Sequence, residues 1–184
     1  MTDGVAPKLA VTGTPGTGKT TATEHLADDA DGTDGDADAA VIHLNDEIRE
    51  HDLYSERDAD RDSLVTDLDA AREHLGAWTG ILESHLAHHF DADRVVVLRC
   101  EPSVLEQRLR DRGDSAEKAR ENAESEALDV VLSEAVEQHG PETVYEIDTT
   151  DRDPDAVAGE IAAVRNGDRE PSAGAVDFTE YLVG

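Results

Sequence analysis

Residues 10–28 read AVTGTPGTGKTTATEHLAD, and the spacing inside this stretch decides the fold. A short run of apolar or small residues, Leu9, Ala10, Val11 and Thr12, leads straight into Gly13, Gly16, Gly18, Lys19 and Thr20, and helical spacing follows. The pattern G-x-x-x-x-G-K-[ST] between a strand and a helix is that of the phosphate-binding P-loop. Glycines there let backbone N–H groups close around phosphate oxygens, at a helix N-terminus that adds partial positive charge. In this frame Lys19 reaches the β- and γ-phosphates and Thr20 offers its hydroxyl to Mg2+. A glycine-rich turn with a chance lysine is the competing reading, and it must produce the full spacing and the strand–loop–helix context together.

Working outward, short apolar runs alternate with helical patterns, which predicts an α/β fold: five parallel strands flanked by helices. The strands are expected at residues 8–13, 40–44, 79–85, 94–100 and 143–148. The first helix starts near Lys19 and gives way to an Asp- and Gly-rich acidic loop, DDADGTDGDADA, at residues 28–39. Residues 45–75 read as a short helix, a loop and a longer helix. Residues 102–140 read as a helix, a break near Gly113 and one long helix ending at Gly140. Asp153 and Pro154 supply an N-cap and a first-turn proline for a last helix. Residues 1–165 form one P-loop domain in this reading. Residues 166–184 form a polar tail in which Phe178, Tyr181 and Leu182 are candidates for docking onto the body.

The chain of 184 residues suits one domain, and its 44 acidic against 16 basic residues give a net charge of −28. Such a chain repels itself in dilute buffer, and molar salt relieves that repulsion by shortening the Debye length to about 3 Å. A salt-rich cytoplasm is the expected setting. Apolar periodicity through most of the chain argues against a disordered acidic protein. The N-terminal sequence has no basic segment followed by a long apolar run, and no apolar stretch approaches membrane-spanning length. Cys100, the single cysteine, follows an apolar strand, where a small buried residue is expected and a disulfide has no partner.

In an open α/β sheet, ligands sit beyond the C-terminal ends of the strands. After the second expected strand come Asn45, Asp46 and Arg49; the arginine either faces a second phosphate or belongs to a salt-bridged surface helix. At the end of the third stand Glu83 and His85, two residues apart and so on one strand face. They read either as a Mg2+-water acid with a histidine near the γ-phosphate or as a capping acid and a solvated histidine. His88 and His89 add metal-ligating side chains without any zinc spacing. RDRGDSAEKAR, at residues 110–120, concentrates scarce positive charge beside a glycine, and with Arg108 it fits a mobile arginine lid or a helix with balancing charges. EIDTT, at residues 146–150, brings Asp148 to Thr150 to the P-loop edge of the sheet.

TGTPGTGKTT, REHDLY with its acidic sequel, ESH at the third strand and RLRDRG before a long helix together resemble the adenylate kinase isoenzyme 6 family, over residues 8–161. The resemblance implies a nucleoside-monophosphate-kinase fold with an acceptor-binding region at residues 43–66 and a short lid at residues 110–121. It implies adenylate kinase and ATPase activity with Mg-ATP, and a part in late maturation of the small ribosomal subunit. Matched onto this sequence, Gly13, Gly16, Gly18, Lys19, Thr20 and Thr21 form the ATP loop and Arg112 is the lid arginine. Asp46 and Arg49 lie on the acceptor side, with Arg49 facing the monophosphate. The family's D-x-H motif stands here as Glu83 and His85, an acid arm longer by one methylene, and Thr20 and Glu83 are the candidate Mg2+ ligands. A basic ribosomal protein of the small-subunit platform is the expected partner. The acidic surface argues against a direct grip on RNA, which clustered Lys and Arg provide in most proteins.

Overall fold

Strand β1 (Leu9–Thr12) is buried along its whole length, because it lies at the centre of a parallel sheet covered on both faces. The computed structural model describes residues 7–30, 40–58 and 63–184. The acidic stretch 31–39, the N-terminal residues 1–6 and residues 59–62 of the expected acceptor region lie outside it. Around β1 are β2 (Val41–His43), β5 (Ile81–Glu83), β6 (Arg94–Arg99) and β7 (Val144–Asp148), in the order β2-β5-β1-β6-β7 with every pairing parallel. All five expected strands are present, trimmed at their ends. Leu44, expected in the second strand, instead opens helix α2 (Leu44–Glu50).

Alternation along the strands builds two cores. Leu9, Val11, Val96, Leu98 and Ile147 point to one face, where α1 (Lys19–Ala30) adds Ala22 and Leu26 and α7 (Pro154–Asn166) adds Val157, Ile161 and Val164. Ala10, Leu82, Val95, Val97 and Val144 point to the other. They meet Ile48 of α2, Ala71 of α3 (Leu68–Leu75) and Leu132 and Ala135 of α6 (Val130–His139). Each fully buried Leu, Ile or Val contributes roughly 1.5–3 kcal/mol. Asp153 caps α7 by accepting from Asp155 N, with Pro154 in the first turn, as its sequence predicts.

Two expectations fail. The loop expected between the helices of residues 45–75 contains an antiparallel pair, β3 (Tyr54–Asp58) and β4 (Ser63–Thr66). This ribbon forms a separate two-stranded sheet, and its polar, acidic sequence carries little of the apolar alternation that marks a strand. The long helix expected up to Gly140 is two helices, α5 (Ala116–Ala127) and α6, because Asp129 adopts φ +55° and turns the chain. Asp is among the few residues that tolerate this left-handed backbone, so no glycine announces the break. The break at Gly113, at φ +104° after α4 (Pro102–Arg112), is where the sequence puts it.

Candidate functional site

The loop from Gly13 to Gly18 joins β1 to α1 at the C-terminal edge of the sheet. Two of its glycines are required by contact. A Cβ on Gly13 would stand 2.6 Å from Leu98 O, and one on Gly16 would stand 2.8 Å from Leu109 Cδ2, so the loop is pressed onto β6 and α4. Thr17 ties the loop to itself through Thr14 O, at 3.2 Å from its N–H and 2.9 Å from its hydroxyl. Lys19, 7 % exposed, donates through Nζ to Gly13 O at 2.9 Å and Thr14 O at 3.1 Å. Burial lowers its pKa to about 8, and the nearby Arg112 charge pushes the same way against the pull of Glu83 and Glu126. Its ammonium is therefore held at the mouth of the loop with little solvent around it, where an anion gains most from it.

Glu83 ends β5 and is 5 % exposed. Its Oε1 accepts from Thr20 Oγ1 at 3.4 Å, and its Oε2 meets His43 Nδ1 at 2.8 Å. The longer acid arm thus reaches the hydroxyl of the P-loop threonine. Two hard oxygen donors on adjacent elements, facing a cleft, fit Mg2+, which takes one or two protein oxygens and fills its octahedron with waters and phosphate oxygens. His85 lies past the end of β5, not on the strand as its spacing from Glu83 suggests, yet both line the cleft. Burial lowers the His85 pKa to about 4, with the Lys19 charge adding to it, so the ring is neutral at physiological pH.

The cleft has a volume of about 1130 Å3. One wall is the P-loop with Thr20 and Thr21. The rest of the lining comes from α2 (Asn45, Ile48, Arg49), from the β3–β4 ribbon (Tyr54, Arg57, Leu64, Thr66) and from the α4–α5 corner beside the loop (Arg108, Arg112, Asp114, Lys118). Arg49 is exposed and has no ion-pair partner among the described residues, so the salt-bridged surface helix is not its explanation. Asp46, also exposed, does not line the cleft; Asn45 does, holding Ser84 Oγ at 2.9 Å. Asp114 accepts from Arg112 at 2.7 Å and lies 3.8 Å from Lys118 Nζ, gathering the corner's positive charge. Arg108 donates to Thr149 O at 3.0 Å, and Thr149 Oγ1 donates to Thr17 O at 2.9 Å, which brings the EIDTT segment onto the loop.

Residues 9–129 match a family model described as an AAA domain. Curated relatives bearing the name "Putative adenylate kinase" cover nearly the whole chain. One from Natronomonas pharaonis is 61 % identical over 176 residues, 95 % of this chain and 99 % of its own length. One from Halobacterium salinarum is 58 % identical over 177 residues, with the same coverage. One from Methanothermobacter thermautotrophicus is 41 % identical over 179 residues, 96 % of this chain and 99 % of that one. The chain belongs to this archaeal adenylate kinase family. A solved shikimate kinase from Bacteroides thetaiotaomicron shares the fold, at 17 % identity and a TM-score of 0.50 over 86 % of this chain and 96 % of that one.

Beneath the P-loop of this family member lies a charged cluster that local spacing does not reveal. Thr14 Oγ1 donates to Glu126 Oε2 at 2.5 Å. The other oxygen of Glu126 accepts from Arg99 Nε at 2.8 Å and from Cys100 N at 3.0 Å. Arg99, 1 % exposed, also pairs with Asp129 and Glu146. Burial opposes its charge, but Glu126 and Asp129 outweigh that and raise its pKa further. Glu146 Oε2 accepts from the backbone N–H groups of Ala175 and Val176, and the Phe178 ring lies 5.5 Å from the guanidinium. Tyr181 donates to Glu106 at 3.1 Å, so the tail docks through Phe178 and Tyr181, while Leu182 remains 43 % exposed. His43, Arg99 and Glu126 are the residues the sequence leaves unmarked, since their partners lie 26–112 positions away. Among the described residues no helix is long and apolar enough to cross a membrane.

Proposed function

We propose that the chain moves the γ-phosphoryl group of Mg-ATP reversibly onto AMP, with slow ATP hydrolysis as a side reaction. The observation that carries this reading is one cleft lined both by the Lys19 loop and by Arg49, which has no ion-pair partner among the described residues. A donor phosphate on the loop and an acceptor phosphate at Arg49 would each meet positive charge. Phosphoryl transfer asks the protein mainly for alignment and charge stabilisation, because little covalent chemistry falls to it. Lys19 and the loop N–H groups hold the donor phosphates, Arg49 fixes the acceptor, and Arg112 covers the group in transit. Thr20 and Glu83 would hold Mg2+, which neutralises phosphate charge when bound. His43 orients Glu83 through its ring N–H, and the neutral His85 lines the cleft without adding a competing charge. Residues 43–66 act as the acceptor region and residues 110–121 as the lid of a domain spanning residues 1–165.

This reading places the chain in the isoenzyme 6 branch of the family, in a salt-rich cytoplasm. A part in small-subunit maturation, through a basic platform protein bound to the acidic surface, is supported by the sequence resemblance and by the net charge of −28. The test of the chemistry is a coupled assay in molar KCl, offering ATP with AMP, CMP, GMP or UMP. Transfer to AMP above the others is expected. No transfer to any of the four, with transfer to dephospho-coenzyme A in its place, would make the chain a different small-molecule P-loop kinase. Turnover that appears only with a ribosomal protein would make it an ATP-driven assembly factor.

A further inference from the structure

Beside the end of β1, outside the cleft roles, side chains from two separate elements converge. His88 and His89 stand on the 3-10 turn Ala87–His89, and Glu134 stands on α6. Both imidazoles turn Nε2 toward one carboxylate oxygen: His88 Nε2 lies 2.9 Å and His89 Nε2 3.8 Å from Glu134 Oε2. The rings are 4.1 Å apart, and all three donor atoms fall within 4.8 Å of one another. A tetrahedral Zn2+ with ligand distances of about 2.0–2.1 Å separates its donors by about 3.4 Å. That spacing falls between the two observed.

The far ring nitrogens are held as well. His88 Nδ1 lies 2.8 Å from Thr12 Oγ1, and His89 Nδ1 accepts from Gln138 Nε2 at 2.8 Å. In a metal-bound imidazole the second ring N–H donates to a fixed acceptor, which sets the tautomer and leaves the other nitrogen's lone pair for the ion, so binding here would move the ring protons from Nε2 to Nδ1 and turn the Gln138 amide over. A hydroxyl accepts such a bond, and an amide accepts it once its oxygen is turned to the ring. His139, close by, is committed elsewhere, donating through Nε2 to His88 O at 2.7 Å. Exposure grades outward, from 1 % for His88 to 20 % for His89 and 44 % for Glu134. The inner ligand is fixed by the core, and the carboxylate side opens to solvent, giving an ion a way in and a water room to complete the shell.

We infer that His88, His89 and Glu134 form a binding site for a borderline divalent cation of the Zn2+ class, clamping the turn after β5 onto α6 next to the P-loop strand. Two imidazoles and one carboxylate suit such an ion over Mg2+, which prefers oxygen donors. The site is therefore distinct in chemistry from the Thr20–Glu83 pair and stands whether or not AMP is the acceptor. A second grouping, Glu47 with His51 and His74, has Nε2 to carboxylate distances of 3.6 and 2.9 Å. Its histidines are 47 and 30 % exposed, and among the described residues neither has its far nitrogen held, which makes it the internal control.

The experiment uses untagged full-length protein, stripped with chelator, in molar KCl. Titration with Co2+ should give the intense visible absorption of a tetrahedral site at one ion per chain, displaced by one equivalent of Zn2+. His89→Ala and Glu134→Ala sit on the partly exposed side; with metal-free melting and circular dichroism matching the wild type, each should weaken Zn2+ binding by at least about 100-fold. His51→Ala combined with His74→Ala should leave it unchanged. A protein giving no tetrahedral Co2+ spectrum, or one whose spectrum vanishes with His51 and His74 and survives loss of His89 and Glu134, overturns the assignment.

Discussion

The P-loop wall of the cleft and the rest of its lining carry charge in opposite ways. On the P-loop wall Lys19 is buried and bonded to two carbonyls, Glu83 is shared by Thr20 and His43, and Thr14 is tied to Glu126. On the rest of the lining Arg49 is exposed without an ion-pair partner among the described residues, and the Arg112 side chain is 55 % exposed, its one ion pair among the described residues being with Asp114. A buried charge needs fixed partners or it destabilises the fold, whereas an exposed arginine stays hydrated at little cost until an anion arrives. The P-loop wall is built to be in place beforehand. The rest of the lining is built to respond.

The largest effect should come from cutting under the fixed wall. Arg99→Met leaves Glu126, Asp129 and Glu146 without their shared cation and should cost about 3–5 kcal/mol of stability, read by denaturant unfolding in molar KCl. A loss under about 1 kcal/mol would mean that the cluster does not brace the P-loop wall. Lys19→Ala should lower turnover by about 10³-fold with the fold retained, as loss of a preorganised charge does; near-normal turnover in the folded variant sinks the phosphate-site reading. On the responsive lining, Arg49→Ala removes one charge-assisted contact, worth about 1.5–3 kcal/mol, and should raise the KM for AMP about ten- to a hundred-fold while leaving that for ATP nearly unchanged. Equal effects on both substrates would erase the distinction between the two parts of the lining.

Two smaller measurements test the surface against the core. Melting temperature should climb by more than about 4 °C from dilute to molar KCl, the response of a small stabilisation at this chain length, because salt screens the net charge of −28. A flat profile removes the salt-dependent reading. Burial pushes the Cys100 thiol up to about 11 from an ordinary value of 9.0, so the native state holds its proton where the unfolded chain releases it. The Cys100 contribution to stability should therefore fall as pH rises from about 9 toward 11, opposite in sign to that of Lys19, whose lowered pKa favours the native state as pH rises from about 8, and the difference between the wild type and Cys100→Ala should isolate it. Thiol reagents should label Cys100 only after unfolding.

What the sequence makes legible is what local spacing encodes. The P-loop glycines, Lys19 and Thr20 lie within eight consecutive positions, and the strands announce themselves as apolar runs because both sheet faces are covered. The β3–β4 ribbon escapes because it is short and polar, so its pairing leaves no apolar stripe. The turn at Asp129 escapes because a carboxylate occupies a place where glycine is the usual signal. Glu83 and His85 are visible as a pair, but the His43 that holds the acid comes from another strand, 40 residues earlier. In the same way His88 and His89 lack a zinc spacing because Glu134 joins them from a helix 45 residues further on.

The Arg99 cluster also orders events during synthesis. Thr14 is among the first residues made, yet its hydroxyl bonds Glu126, which shares Arg99 with Glu146, whose second oxygen waits for the N–H groups of Ala175 and Val176. A chain emerging from its N-terminus can pair β1 with β5 and β6 early, but Glu146 Oε2 gains its two backbone donors only once Ala175 and Val176 are made. Termination after residue 166 would keep all five strands and the Arg99 ion pairs but leave a buried Glu146 oxygen without its two N–H donors, a loss of stability that would raise the share of unfolded chain open to chaperones and proteases.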